Sequence, residues 1–97
     1  MKEIKNISVT QFCTHYEVPV SFIENLNNYE LIQITTIDNS AYIDLDQIRI
    51  IEKLIRLHYH LNINFEGLDV VVNLLDQIEH LQKEITDLNN KLEFYLK

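Results

Sequence analysis

Apolar positions in this chain follow helical spacing at both ends and a β-like pattern in between. Ile4, Ile7 and Val9 punctuate a polar lead-in, and Ser8 followed three residues later by Gln11 has the form of a capping box, which predicts a short helix from Val9 to His15. Pro19 interrupts that pattern and suits the first turn of a second short helix, Val20 to Asn27, with Phe22, Ile23 and Leu26 on one face. After Tyr29 come two β-branched runs, Leu31-Ile32-Gln33-Ile34 and Ala41-Tyr42-Ile43. Asp38-Asn39 supplies turn residues between them, so the segment reads as a small hairpin. Asp44 with Gln47 repeats the capping spacing, and Leu45, Ile48, Ile51, Leu54, Ile55 and Leu61 predict a helix from Leu45 to His60. Asn62 to Asn64 breaks it, and Asn64 can cap a last helix that starts at Phe65 and runs to the C-terminus.

That last helix carries the most regular pattern of all. Val71, Leu74, Ile78, Leu81, Ile85, Leu88, Leu92 and Tyr95 alternate by three and four without a miss, as a coiled-coil seam does. Glu79-Lys83 and Asp87-Lys91 add acid-before-base pairs at i,i+4 on the outer side. About 30 helical residues span about 45 Å. They outreach a body of about 65 residues, about 25 to 30 Å across, so the seam is expected to pair with a second copy, in either orientation. The expected division is a body over residues 1–64 and a dimerisation helix over residues 65–97 that continues it as one domain.

The chain has 97 residues, 46% apolar and 24% charged, enough for one small core. Eight Lys and Arg face fifteen Asp and Glu, a net charge of −7 that disfavours nucleic acid and anionic lipid and suits a basic protein surface. A single cysteine, Cys13, forms no internal disulfide, and no apolar run approaches membrane length, so a cytoplasmic protein without membrane contact is expected. One glycine, Gly67, leaves no phosphate-cradling loop.

Two short helices, a hairpin, a capped helix and a terminal seam, in that order, resemble the winged helix-turn-helix layout of MerR-type proteins. More specific are Gln11-Phe12-Cys13 with His15, Tyr42-Ile43-Asp44, Ile55-Arg56-Leu57 with Leu61, Phe65-Glu66-Gly67-Leu68, and Leu74-Leu75-Asp76-Gln77-Ile78 with His80-Leu81-Gln82. In that order and spacing they are similar to the chaperone-modulator (CbpM-like) family, small relatives of MerR regulators, over about residues 9 to 92. The resemblance implies a mainly α fold, a MerR-like winged helix-turn-helix with a small β-hairpin wing and a long C-terminal coiled-coil helix. It also implies binding to the J-domain of a DnaJ-type co-chaperone, CbpA, which is thereby restrained from cooperating with Hsp70. This chain departs from the family at Glu17, where these units carry glycine, and at Tyr42, where tryptophan is frequent.

The alternative is a MerR-type transcription regulator. Such proteins contact DNA through Arg and Tyr residues of the second helix, whereas this chain has Ser21, Glu24, Asn25 and Leu26 there. From Met1 to Ile43, Lys2 and Lys5 stand against Glu3, Glu17, Glu24, Glu30 and Asp38, a local charge of −3 that repels a duplex. Arg49, Lys53 and Arg56 share one helix and could touch a phosphate backbone, although a solvated face is the simpler reading. Cys13 and His15, like His58 and His60, are two apart, so helical geometry turns them about 200° from each other and no metal site forms by spacing. No nucleophile and base stand together, and neither an enzyme nor a cofactor is expected. Three acidic groupings could meet a basic partner: Glu17, Glu24 and Glu30; Asp38, Asp44 and Asp46; and Asp69, Asp76 and Glu79. Asp44 reads as a helix cap, and Asp76 and Glu79 lie one turn apart and are read as having no basic residue closer than Lys83, so Glu24, Asp76 and Glu79 are the expected partner contacts.

Overall fold

The computed structural model describes residues 5–96. Ile4 of the apolar lead-in lies outside them. Element order is β1 (Asn6–Ser8), α1 (Val9–Tyr16), α2 (Val20–Asn28), β2 (Ile34–Ile37), β3 (Ser40–Asp44), a 3-10 turn (Leu45–Gln47), α3 (Ile48–Tyr59) and α4 (Phe65–Leu96). The winged helix-turn-helix layout and the long terminal helix are as expected.

The wing differs in two respects. It is a three-stranded antiparallel sheet of order β1-β3-β2, because Asn6–Ser8 adds to the outer edge of β3 through Asn6↔Asp44, Ile7↔Ile43 and Ser8↔Tyr42. The first hairpin strand also begins at Ile34 rather than Leu31, pairing Ile34↔Ile43 and closing at Ile37↔Ser40. The Asp38-Asn39 turn is as expected, with both residues at positive φ (50° and 65°), the left-handed geometry of a two-residue hairpin. Residues 31–33 stay out of the strand: the Leu31 N–H is taken by the Leu26 carbonyl at the end of α2, and at Gln33 the Gln47 amide accepts from the N–H at 2.7 Å and donates to the carbonyl at 2.8 Å. Gln47 is thus a strand surrogate, not half of a capping box. Asp44 stands at the cap position but makes no side-chain cap bond, and residues 45–47 form a separate 3-10 turn, so the expected single helix Leu45 to His60 is the α-helix Ile48–Tyr59.

Ser8 caps α1 by accepting from the Gln11 N–H at 3.1 Å. Asn64 caps α4 in the same way, accepting from the Gly67 N–H at 2.8 Å. A glutamate in the left-handed region follows each helix of the helix-turn-helix, Glu17 (φ 57°) as the C-cap of α1 and Glu30 (φ 61°) one residue past the Tyr29 C-cap of α2, and backbone bonds Val18 N–H to Cys13 C=O and Leu31 N–H to Leu26 C=O close the two ends. The core joins Val9, Phe12 and Cys13 of α1, Phe22, Ile23 and Leu26 of α2, Ile43 of β3, Ile51 and Leu54 of α3, and Leu68 of α4. Between α1 and α3, the Tyr16 hydroxyl donates to Glu52 at 3.1 Å.

Because a left-handed conformation costs an L-residue roughly 1 kcal/mol or more relative to glycine, Glu17→Gly is expected to raise stability by about 1 kcal/mol. Denaturant titration checks this by an upward shift of the midpoint at unchanged slope.

Candidate functional site

The base of α4 is held by an aromatic cluster. The Phe65 ring stacks on Tyr29 with centroids 5.7 Å apart and meets His58 at 4.8 Å and Phe22 at 5.8 Å. The Tyr29 hydroxyl donates to Glu66 at 2.8 Å, and the His58 Nδ1–H donates to the Ile63 carbonyl at 2.8 Å, which pins the loop between α3 and α4. The Glu66 carboxyl is held below the usual carboxylate range, first by its own backbone N–H and then by Tyr29. Leu68 is fully buried, and Phe65 and Val72 pack half-buried against the core. Those first two turns fix the direction in which α4 leaves the body.

Beyond them the helix stands free. The seam residues Leu74, Ile78, Leu81, Ile85, Leu88, Leu92 and Tyr95 are 49% to 80% exposed, the level of side chains that touch only their own helix. Val71, the remaining one, is half-buried and turns toward α3. The radius of gyration is 17.6 Å, against about 12.5 Å for a compact chain of this length.

Between α3 and the lower half of α4 runs a groove. Its first part, about 530 Å³, is floored by Leu57 and Leu61 on one side and Val71 and Leu75 on the other, with Lys53, Arg56 and His60 around it. Its second part, about 360 Å³, continues past Lys53 and Leu75 to Asp76, Ile78, Glu79 and Gln82. Asp76 and Glu79 are therefore brought together on one exposed surface, with Lys53 of α3 in the same wall. Glu24 lines neither part: it is exposed on α2 beside Cys13.

The acidic strip also contains a base. The Asp76 carboxylate lies 3.7 Å from His80 Nδ1, whose nearer contact is the Asp76 carbonyl at 2.8 Å, and this is the single ion pair among the described residues. The imidazole is pushed above the ordinary histidine value, chiefly by that carbonyl and next by the Asp76 charge. Glu79-Lys83 and Asp87-Lys91 do not close within 4 Å. Exposed side chains gain little by giving up rotamer freedom for such contacts in water, so these pairs are not formed as expected. Lys53 and His80 are the two basic residues beside this strip that the sequence pattern did not bring to it. The i,i+4 spacing from Asp76 to His80 was a signal for one, but nothing in the sequence placed Lys53 opposite the other.

Elsewhere the expected candidates stay apart. Cys13 is buried while His15 is exposed. Burial, and then the Glu24 charge, push the Cys13 thiol up, the direction opposite to a nucleophile. α2 presents Val20, Ser21, Glu24 and Asn28 to solvent and carries no Lys or Arg. Among the described residues no group of three or more His, Cys, Asp or Glu could hold a metal ion, and no helix is long and apolar enough to cross a membrane.

Two short helices joined by a tight turn, a sheet wing and a long terminal helix with an exposed seam define a helix-turn-helix protein, here with no Lys or Arg on α2. The sequence model of the family described as "MerR HTH family regulatory protein" matches residues 7–90, and the chain belongs to that family. Within it the chain is CbpM-like. It is 22% identical over 90 residues to proteins named chaperone modulatory protein CbpM from Escherichia coli O1:K1 / APEC and from Escherichia coli O139:H28 (strain E24377A / ETEC), covering 92% of this chain and 89% of theirs.

The site's electrostatics lead to a titration test. His80 is expected to titrate above the ordinary value near 6.5, and Asp76→Asn to lower it, as followed by NMR of the imidazole. With the folded value raised, the contact stabilises the helix at pH below the unfolded histidine's pKa, and that contribution is lost as pH rises through the folded value.

Proposed function

We propose that this protein is a chaperone modulator that binds the J-domain of a DnaJ/CbpA-type co-chaperone and inhibits its cooperation with Hsp70. The observation that carries this is the likeness to chaperone modulatory proteins along 92% of the chain, helix-turn-helix and seam together. The net charge of −7 and the acidic surface at Asp76 and Glu79 support it, since a J-domain presents a basic helix to Hsp70. Glu24 is a further candidate contact. The protein acts by occupying a surface in the cytoplasm, with no chemistry of its own and no cofactor. It works as a homodimer through Val71, Leu74, Ile78, Leu81, Ile85, Leu88, Leu92 and Tyr95, with residues 1–64 as the body and 65–97 as the dimerisation helix.

The alternative, a MerR-type regulator binding DNA as a dimer, has in its favour the regulatory description of the matching family. Against it stands an α2 without Lys or Arg, since phosphate binding by counterion release needs several cations on one face.

Calorimetry of the full chain against the J-domain of its host's CbpA-like co-chaperone tests the proposal. Micromolar or tighter binding that weakens as salt rises is expected, and no binding at low salt contradicts it. Reversing Asp76 and Glu79 together to Lys is expected to weaken that binding about tenfold while the dimer persists. Unchanged affinity would move the contact elsewhere. Leu81→Asp places a charge in the seam and is expected to abolish the dimer, as read by sedimentation, whereas a folded dimer of that variant would contradict the seam assignment.

A further inference from the structure

His80 shares its surface with Asp76, Glu79 and Lys83, and these four side chains line one shallow hollow of about 320 Å³ on α4. Counted from the seam residues Ile78 and Leu81, all four fall on the outward side of the helix, so the seam can be covered while they stay open. The His80 and Asp76 side chains are 73% and 67% exposed. The charged groups that face the imidazole are Asp76, Glu79, Lys83 and Glu84, all of α4 itself. At that exposure no other element packs on the ring, and α3 contributes only Lys53, which meets Asp76 and Glu79 in the groove.

The backbone decides which nitrogen of His80 faces outward. The Asp76 carbonyl, 2.8 Å from Nδ1, can only accept, so Nδ1 carries the hydrogen. In the neutral ring Nε2 is then a lone-pair acceptor, while the Asp76 carboxylate stands 3.7 Å from Nδ1. Neutral, the surface offers a basic side chain two carboxylates and one imidazole acceptor. Protonated, Nε2 becomes a donor and a positive charge stands beside both carboxylates, so the same basic side chain is repelled where it was held. The Asp76 carbonyl first, then the Asp76 charge, and after them Glu79 and Glu84, push the imidazole above the ordinary histidine value, which brings the exchange between the two forms toward neutrality.

We propose that His80 is the third acceptor of the Asp76 and Glu79 surface and its pH switch: a basic partner is held when the ring is neutral and released when the ring is protonated. This rests on the reading of that surface as the contact for a basic J-domain helix, and adds its regulation. The sign follows from linkage. A partner that prefers neutral His80 binds more tightly at pH above the imidazole's pKa, and must itself lower that pKa on binding.

Calorimetry of the full chain with the J-domain at low salt, at about pH 6 and about pH 8, tests this on the wild type and on His80→Gln. The glutamine amide keeps a donor and an acceptor but does not titrate. The wild type is expected to lose about threefold more affinity than His80→Gln between the higher and the lower pH, the scale of one exposed charge contact. His15, His58, His60 and the partner's own histidines are common to both measurements and cancel in that comparison. Equal losses in the two proteins overturn the proposal and leave the J-domain reading intact. Absence of J-domain binding at both pH values overturns that reading instead, and pentalysine followed by NMR of the His80 imidazole then decides for the surface itself. Pentalysine is expected to lower the His80 pKa, and an unchanged value overturns the proposal.

Discussion

Leu68 is the residue on which the arrangement turns. It is the fully buried residue of α4, and with Phe65 and Val72 it ties two turns of a 32-residue helix into the core. Everything past that anchor has no body to lie on. The Asn64 cap, the Tyr29–Glu66 bond and the stack of Tyr29 on Phe65 all act at the same point, so the helix leaves rigidly and its seam is carried into solvent. The accessible surface, 7848 Å², exceeds the roughly 5,800 Å² of a compact monomer of this mass by about the area of a substantial protein interface. A row of large apolar side chains exposed along one helix face is the mark of an interaction surface.

Electrostatics divides the same molecule into faces of different charge. The helix that would enter a DNA groove is acidic and lacks cations, while Lys53, Arg56 and His60 gather beside the α3–α4 groove. The MerR-type scaffold is therefore present with no Lys or Arg on α2. A net charge of −7 favours long-range encounter with basic surfaces over phosphate. Asp76 and Glu79 sit where the free helix meets the body, on the boundary between these faces.

Much of this was legible in the sequence because the signals were periodic or local. The three-four alternation identified α4, Ser8 and Asn64 marked the two helix starts they do cap, and Asp38-Asn39 marked the hairpin turn. What was not legible depends on side chains meeting across the fold. A three-residue edge strand at Asn6–Ser8 carries no period of its own and exists because β3 offers an open edge. Leu31 to Gln33 has strand-like composition, but Leu31 is held by the Leu26 carbonyl and Gln33 by the Gln47 amide from 14 residues away, a bond that also diverts Gln47 from the capping box with Asp44. In the candidate site the adjacency of Asp76 and Glu79 followed from helix geometry. The nearness of Lys53 required the angle between α3 and α4, which is set by Leu68 and Phe65. Glu17 is the reverse case, where the departure from glycine was visible in the sequence and the structure confirms the left-handed backbone that makes it costly.

The central claim is that the free seam of α4 is the interface between two copies of the chain. Sedimentation equilibrium of the unmodified protein at micromolar concentration tests it most directly. The account predicts a species of twice the 11.6 kDa chain mass that dissociates on dilution without unfolding of the body. A monomer at that concentration, with α4 fully helical by circular dichroism, would contradict it.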